Sequence, residues 1–159
     1  MVLDQVNGLP VHVLVLHAAV IFVPLLALGA IVYGFAAALR PRIGWAVALL
    51  AVVAPIAALI TKLSGTEFYN RLLSAESVSP KGKEILDGHM SNGTTTFWLT
   101  LALGVLSLIL VVLTARNPRA LPKIVDLAFA VVLLVLGGLS AWYLYETGDS
   151  GATAVWGTY

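Results

Sequence analysis

Four long apolar runs decide what this chain can fold into. Val11–Leu39 runs to Arg40-Pro41-Arg42, and Ile43–Ile60 runs to Lys62. Thr94–Ala115 runs to Arg116-Asn117-Pro118-Arg119, and Ile124–Tyr145 ends at Glu146. A helix needs about 20 apolar residues to cross the hydrocarbon of a bilayer, and each run supplies a span. A lone strand in lipid would leave its backbone unpaired, so helix is the only workable form. The alternating pattern of a membrane barrel is absent. The spacing therefore predicts an all-α, integral membrane four-helix bundle. It forms a single domain with spans near 11–39, 43–62, 94–115 and 124–145. The first run exceeds what crossing requires and should start in the interface or tilt.

Composition supports the same solvent. Only 11% of the 159 residues are charged, against roughly 25% in soluble domains, whose surfaces need that charge. The lipid bilayer is the expected surrounding. A net charge of +1 without a dense basic cluster gives no reason to expect a nucleic-acid partner. Cysteine is absent, which removes disulfides, thiolate metal sites and cysteine nucleophiles.

Basic residues set the expected orientation. Arg40 and Arg42 stand between spans one and two. Arg116, Arg119 and Lys123 stand between spans three and four, and neither loop carries an acid. The N-terminal tail holds Asp4 and the C-terminal tail holds Glu146 and Asp149, with no Lys or Arg in either. The two short loops should be cytoplasmic. Both termini and the long loop, Thr61–Gly93, should lie outside a bacterial plasma membrane. Without a basic N-terminal region, the first span should be retained as its own insertion signal.

The long loop carries pattern. Phe68, Tyr69, Leu72 and Leu73 form one helical stripe within 66–74, and Ile85, Leu86 and His89 share a face within 80–90. Each stretch suits a short helix on the membrane surface, the second with Ser79 as its N-cap and Pro80 in its first turn. Ser91-Asn92-Gly93 then breaks the chain before span three, unless the second helix runs straight on. Pro24 and Pro55 lie inside spans one and two, where a proline removes one backbone bond and bends the helix. Small residues such as Gly29, Gly34, Gly104 and Gly137 allow close helix packing. The residues alone show no internal repeat.

Chemistry falls to three histidines, His12, His17 and His89, all expected at the outer side. Five residues separate His12 from His17, a rise of about 7.5 Å and a turn of about 140°, so they do not share a face. One of the two could meet His89 across the bundle. An ionisable group inside a span points to a functional site by default. The bland alternative is a neutral ring bonded to a carbonyl or hydroxyl of a neighbouring helix. A b-type haem needs two imidazoles on opposite sides of the macrocycle. A metal ion would need further ligands, from Glu67, Asp87 or Asp149, and no local HxxxH or HExxH spacing exists to mark such a site. The cofactor-binding candidates are therefore His17, His89 and His12. The metal candidates are those three with Glu67.

Two other features have plain readings. Gly148-Asp149-Ser150-Gly151 looks like a protease nucleophile loop, but a short tail has no scaffold for a triad, and turn chemistry accounts for it. Trp142, Tyr143, Tyr145, Trp156 and Tyr159 fit an interfacial aromatic belt. Asp126 opens span four, where it should favour the helix N-terminus and pair with Lys123.

The string Gly8-Leu9-Pro10-Val11-His12 through His17, with Pro24 downstream, resembles the opening of an uncharacterised family of bacterial four-helix membrane proteins, read roughly GLPxHPxxVHxxxxxxP. Gly65 with Glu67, His89 before span three, and Gly148-Asp-Ser-Gly151-Ala152 match its later features, the last resembling an actinobacterial branch. Val13 departs from the family's usual proline and leaves the helix entry less kinked. The resemblance covers nearly the whole chain and implies a fold and candidate residues without an activity. The fusion of some relatives to Rieske-type iron–sulfur domains implies proximity to electron transfer.

Two function classes follow. One is a redox-associated membrane protein binding a b-type haem or metal ion at the outer end, through His17 and His89. The other is a non-catalytic subunit or assembly factor of a larger membrane complex or homo-oligomer. A transporter ranks below both, because spans two, three and four offer little polar beyond Thr and Ser. No nucleophile–base pair suggests a hydrolase, and no enzymatic activity is indicated.

Overall fold

The computed structural model describes residues 5–6 and 8–157. Asp4 and Tyr159, used above in reading the tails, lie outside them. Four helices make up most of the described chain: α1 (Val11–Phe35), α2 (Arg40–Ser74), α3 (Pro80–Thr114) and α4 (Lys123–Trp156). Each is long and apolar enough to cross a membrane. A small pairing of β1 (Gln5–Val6) with β2 (Leu9–Pro10) precedes α1, and Gly8 supplies the positive φ of the turn (81°). The surface has the polarity a bilayer selects. Leu28, Val112 and Ile124 are exposed, while Arg40, Thr100, Ser107 and Ser140 are buried.

Helix ends differ from the apolar runs for identifiable reasons. α1 stops at Phe35, short of Leu39, because Ala36 leaves the helical region (φ −111°, ψ 71°) and Ala37–Leu39 forms a 3-10 turn. That reversal brings the Arg40 guanidinium back to the carbonyls of Tyr33 and Gly34, at 3.0 Å each. The stretches 66–74 and 80–90 do not form separate surface helices. They continue α2 and α3 beyond the apolar runs, and Ser91-Asn92-Gly93 lies inside α3. Gly65 packs closely against His12, and Gly93 lies beside Thr147, where the helices remain in contact. Ser79 does cap α3, accepting from Gly82 N–H (3.0 Å). Gly148–Gly151 is helix rather than turn, because α4 continues to Trp156.

The bundle is a square of two hairpins, α1–α2 and α3–α4, running in the same sense. α1 and α3 each pack between α2 and α4 and scarcely meet one another. Burial reveals the repeat that the residue types conceal. A shift of 77 residues carries the buried Val23, Leu26, Ala30 and Tyr33 of α1 onto Thr100, Leu103, Ser107 and Leu110 of α3, all buried. A shift of 86 carries Val47, Ala51 and Ala54 of α2 onto Leu133, Gly137 and Ser140 of α4, also buried. The hairpins are thus a quasi-repeat about an axis along the bundle.

The tightest crossing lies in the core. Proline at residue 55 cannot donate to the Ala51 carbonyl, and Gly104 of α3 fills the space beside that oxygen. A Cβ at Gly104 would lie 2.6 Å from Ala51 O and 2.9 Å from Pro55 Cγ. Only glycine lets α2 and α3 approach this far.

Candidate functional site

The two ends of the bundle are built on opposite plans. At the end where the hairpins turn, Arg40 and Asp126, equivalent under the 86-residue shift, pair directly at 2.6 Å. This corrects the expected pairing of Asp126 with Lys123. Arg40 is 2% exposed. Besides Asp126 it donates to Tyr33 O and Gly34 O, and to Pro118 O at 2.8 Å. A buried guanidinium demands such partners, and the reversal after α1 provides them.

At the other end, His12 and His89, equivalent under the 77-residue shift, face one another. Their ring centres lie 6.1 Å apart and their planes are nearly perpendicular (87°). Both rings are half-buried. His12 Nδ1–H donates to Thr61 O on α2 (3.0 Å), and His89 Nδ1–H donates to Thr147 O on α4 (2.9 Å). A carbonyl can only accept, so the proton is on Nδ1, and the neutral ring keeps its lone pair on Nε2.

Each carbonyl belongs to the same short cradle. Ser64 Oγ–H donates to Thr61 O (3.0 Å), and Ser150 Oγ–H is shared between Glu146 O (2.7 Å) and Thr147 O (3.1 Å). The two hydroxyls lie 3.5 and 3.4 Å from the neighbouring imidazole Nδ1 atoms. Glycine then makes room for each ring. A Cβ on Gly65 would stand 3.1 Å from His12, and one on Gly151 would stand 3.0 Å from His89. The signal was present in the sequence as Thr-x-x-Ser-Gly, at 61–65 and again at 147–151. Its meaning needed the helix partners.

A cavity of about 480 Å³ opens beside the rings, lined by both histidines with Leu16, Phe68, Leu72 and Leu86 among others. Phe68 stacks on His12, centres 6.4 Å apart and planes 25° off parallel. Most of the lining is apolar, and the two imidazoles share it with the polar side chains of Tyr69, Ser77 and Ser79.

The remaining candidates lie elsewhere. His17 is exposed on α1, and its Nδ1–H donates to Val13 O of its own helix (3.2 Å). Glu67, Asp87 and Asp149 are exposed, and Asp87 is engaged with Tyr69 and Lys83 (2.7 Å to Lys83). Among the described residues, no three His, Asp or Glu side chains come together as a metal-binding group.

No curated protein and no solved structure matches the chain. The model of one family, described as predicted membrane protein (DUF2231), matches residues 8–158. That match takes in all four helices, both cradles, His12 and His89, and the chain belongs to this family of predicted membrane proteins.

Proposed function

We propose that this is a redox-associated membrane protein in which His12 and His89 would hold a b-type haem at the histidine end. The observation that carries the reading is the imidazole pair. The rings are 6.1 Å apart, line one cavity, and each is fixed through Nδ1 to a backbone carbonyl.

Three features fit that group. Two imidazoles sharing one metal atom, at metal–nitrogen bonds of about 2.0 Å, have ring centres about 6 Å apart. A haem supplies four equatorial nitrogens and asks the protein for two. An ion held by side chains alone asks for three or four, and no such cluster forms among the described residues. The cavity, about 480 Å³ and largely apolar, falls in the range of cofactor sites. When bound, the group would supply one-electron chemistry.

The chain does the rest. The carbonyls of Thr61 and Thr147 fix the tautomer and the ring plane and raise the basicity of each Nε2. Phe68 and the leucines keep water from the ring faces. His17 has no part in the pair, since it points away on its own helix. Arg42, Arg116, Arg119 and Lys123 are exposed at the opposite end. The positive-inside rule therefore supports a histidine end outside the cell.

The test is the absorbance spectrum and iron content of protein purified in detergent from cells supplied with haem. A Soret band with about one iron per chain is the expected outcome for one bis-imidazole site. A colourless, iron-free protein overturns the reading. If such a protein carries a stoichiometric partner out of native membranes, the non-catalytic subunit takes its place.

A further inference from the structure

The quasi-repeat supplies an internal control for the core, and one half of it departs from the other. Val23 in α1 corresponds to Thr100 in α3, Ala30 corresponds to Ser107, and Ala54 in α2 corresponds to Ser140 in α4. All six are buried to within 1% of complete. Valine and alanine therefore pack these positions fully, and packing does not call for a hydroxyl. Yet the second hairpin places hydroxyls at all three. Thr100 Oγ1, Ser107 Oγ and Ser140 Oγ have no hydrogen-bond partner among the described residues. Buried polar atoms left in that state are costly and point to a use.

Their arrangement suggests the use. Thr96, Thr100, Ser107 and Thr114 lie on one face of α3, at spacings of four, seven and seven residues. Thr96 and Thr147 hydroxyls are 3.2 Å apart, each also donating to a carbonyl of its own helix, Asn92 O (2.9 Å) and Tyr143 O (2.6 Å). Counting seven residues along each antiparallel helix from that contact, about 10.5 Å, puts Ser140 level with Leu103, between Thr100 and Ser107. At the far end, Tyr33 O–H donates to Thr114 Oγ1 (2.8 Å), which itself donates to Leu110 O. A cavity stands at each end of this line. One of about 50 Å³ is lined by Thr96 and Thr147 below the histidines. The other, about 220 Å³, is lined by Thr114, Tyr33 and Arg40. Both exceed the space one water needs.

We propose that the second hairpin carries a proton-conducting track, from the histidine-end cavity through Thr96, Thr100, Ser140 and Ser107 to Thr114, Tyr33 and the arginine-end cavity. Water held between the hydroxyls completes it. A hydroxyl both donates and accepts. Each takes a proton on its oxygen from one side and releases its own to the other, so only O–H bonds form and break, and every group ends as it began. The Thr and Ser side chains that are too few for solute transport are enough for a proton.

The test uses the full chain reconstituted in vesicles with a trapped pH dye and an imposed proton gradient. Wild type should dissipate the gradient faster than protein-free vesicles. The variant Thr100→Val/Ser107→Ala/Ser140→Ala installs the residues the first hairpin already uses, and should return the rate to the protein-free level. Circular dichroism and gel filtration check that it assembles. If it does not, Ser107→Ala alone is read the same way. Conduction by the variant equal to wild type, or wild type no faster than empty vesicles, overturns the proposal. Neither readout depends on haem absorbance, so the two proposals fail separately.

Discussion

The arginine end and the histidine end answer the same symmetry in opposite ways. Arg40 and Asp126 are equivalent positions of the two hairpins, and so, in α1 and α3, are His12 and His89. At the arginine end the donors of the guanidinium are taken up by three carbonyls and a carboxylate. Four of its five N–H donors are bound within the protein, and the pair closes the bundle. At the histidine end each ring is tied down through Nδ1, and both rings line a cavity. A polar pair bound to itself and to the backbone locks a fold, whereas an imidazole fixed at one nitrogen keeps the other as an acceptor.

The sharpest way to break this comparison is to cut the lock. Asp126→Ala leaves Arg40 buried without its counter-charge. It should cost of the order of 3 kcal/mol, the low end for breaking a buried pair because Asp126 keeps some exposure. Thermal unfolding in detergent would show it as a clear fall in the midpoint. Haem content per folded molecule should stay at the wild-type level. A fall in haem content per folded molecule would mean the two ends are not independent.

A smaller effect should follow from crowding the cradles. Gly65→Ala and Gly151→Ala each push a Cβ to about 3 Å from an imidazole. The ring must move, at a stability cost of roughly 1–3 kcal/mol. Because the cradles are equivalent, the two variants should shift the haem absorbance alike. A change in one and silence in the other would show that only one histidine is a ligand.

The bundle was open to reading from the sequence because lipid leaves few choices. Runs of apolar residues of that length must be helices, and the basic residues mark where they turn. The helix ends were less legible. Phe35 ends α1 because Arg40 needs the carbonyls of Tyr33 and Gly34, a demand that no local pattern announces. The extensions of α2 and α3 followed the same logic, since the helices remain in contact past the apolar stretch, where Gly65 and Gly93 lie beside His12 and Thr147. Among the candidate residues, His12 and His89 meet and His17 does not. Spacing could separate His12 from His17, but it could not say which of them looks inward. The cradles escaped notice because Thr-x-x-Ser-Gly is unremarkable until its two copies are seen holding two histidines. Outside the cradles and their histidines the repeat is one of burial more than of residue type, as Tyr33 opposite Leu110 and Arg40 opposite Asp126 illustrate.

The central claim is that His12 and His89, and not His17, form one binding site. The most direct measurement is the absorbance spectrum of haem-supplied protein carrying His12→Ala, His89→Ala or His17→Ala, with circular dichroism as the check on folding. Removing one ring bond to a carbonyl should cost about 1 kcal/mol, so the variants should remain folded. The account predicts that His12→Ala and His89→Ala each abolish or strongly shift the bis-imidazole spectrum, while His17→Ala keeps it. A spectrum that survives loss of His12 but vanishes with His17 would contradict it.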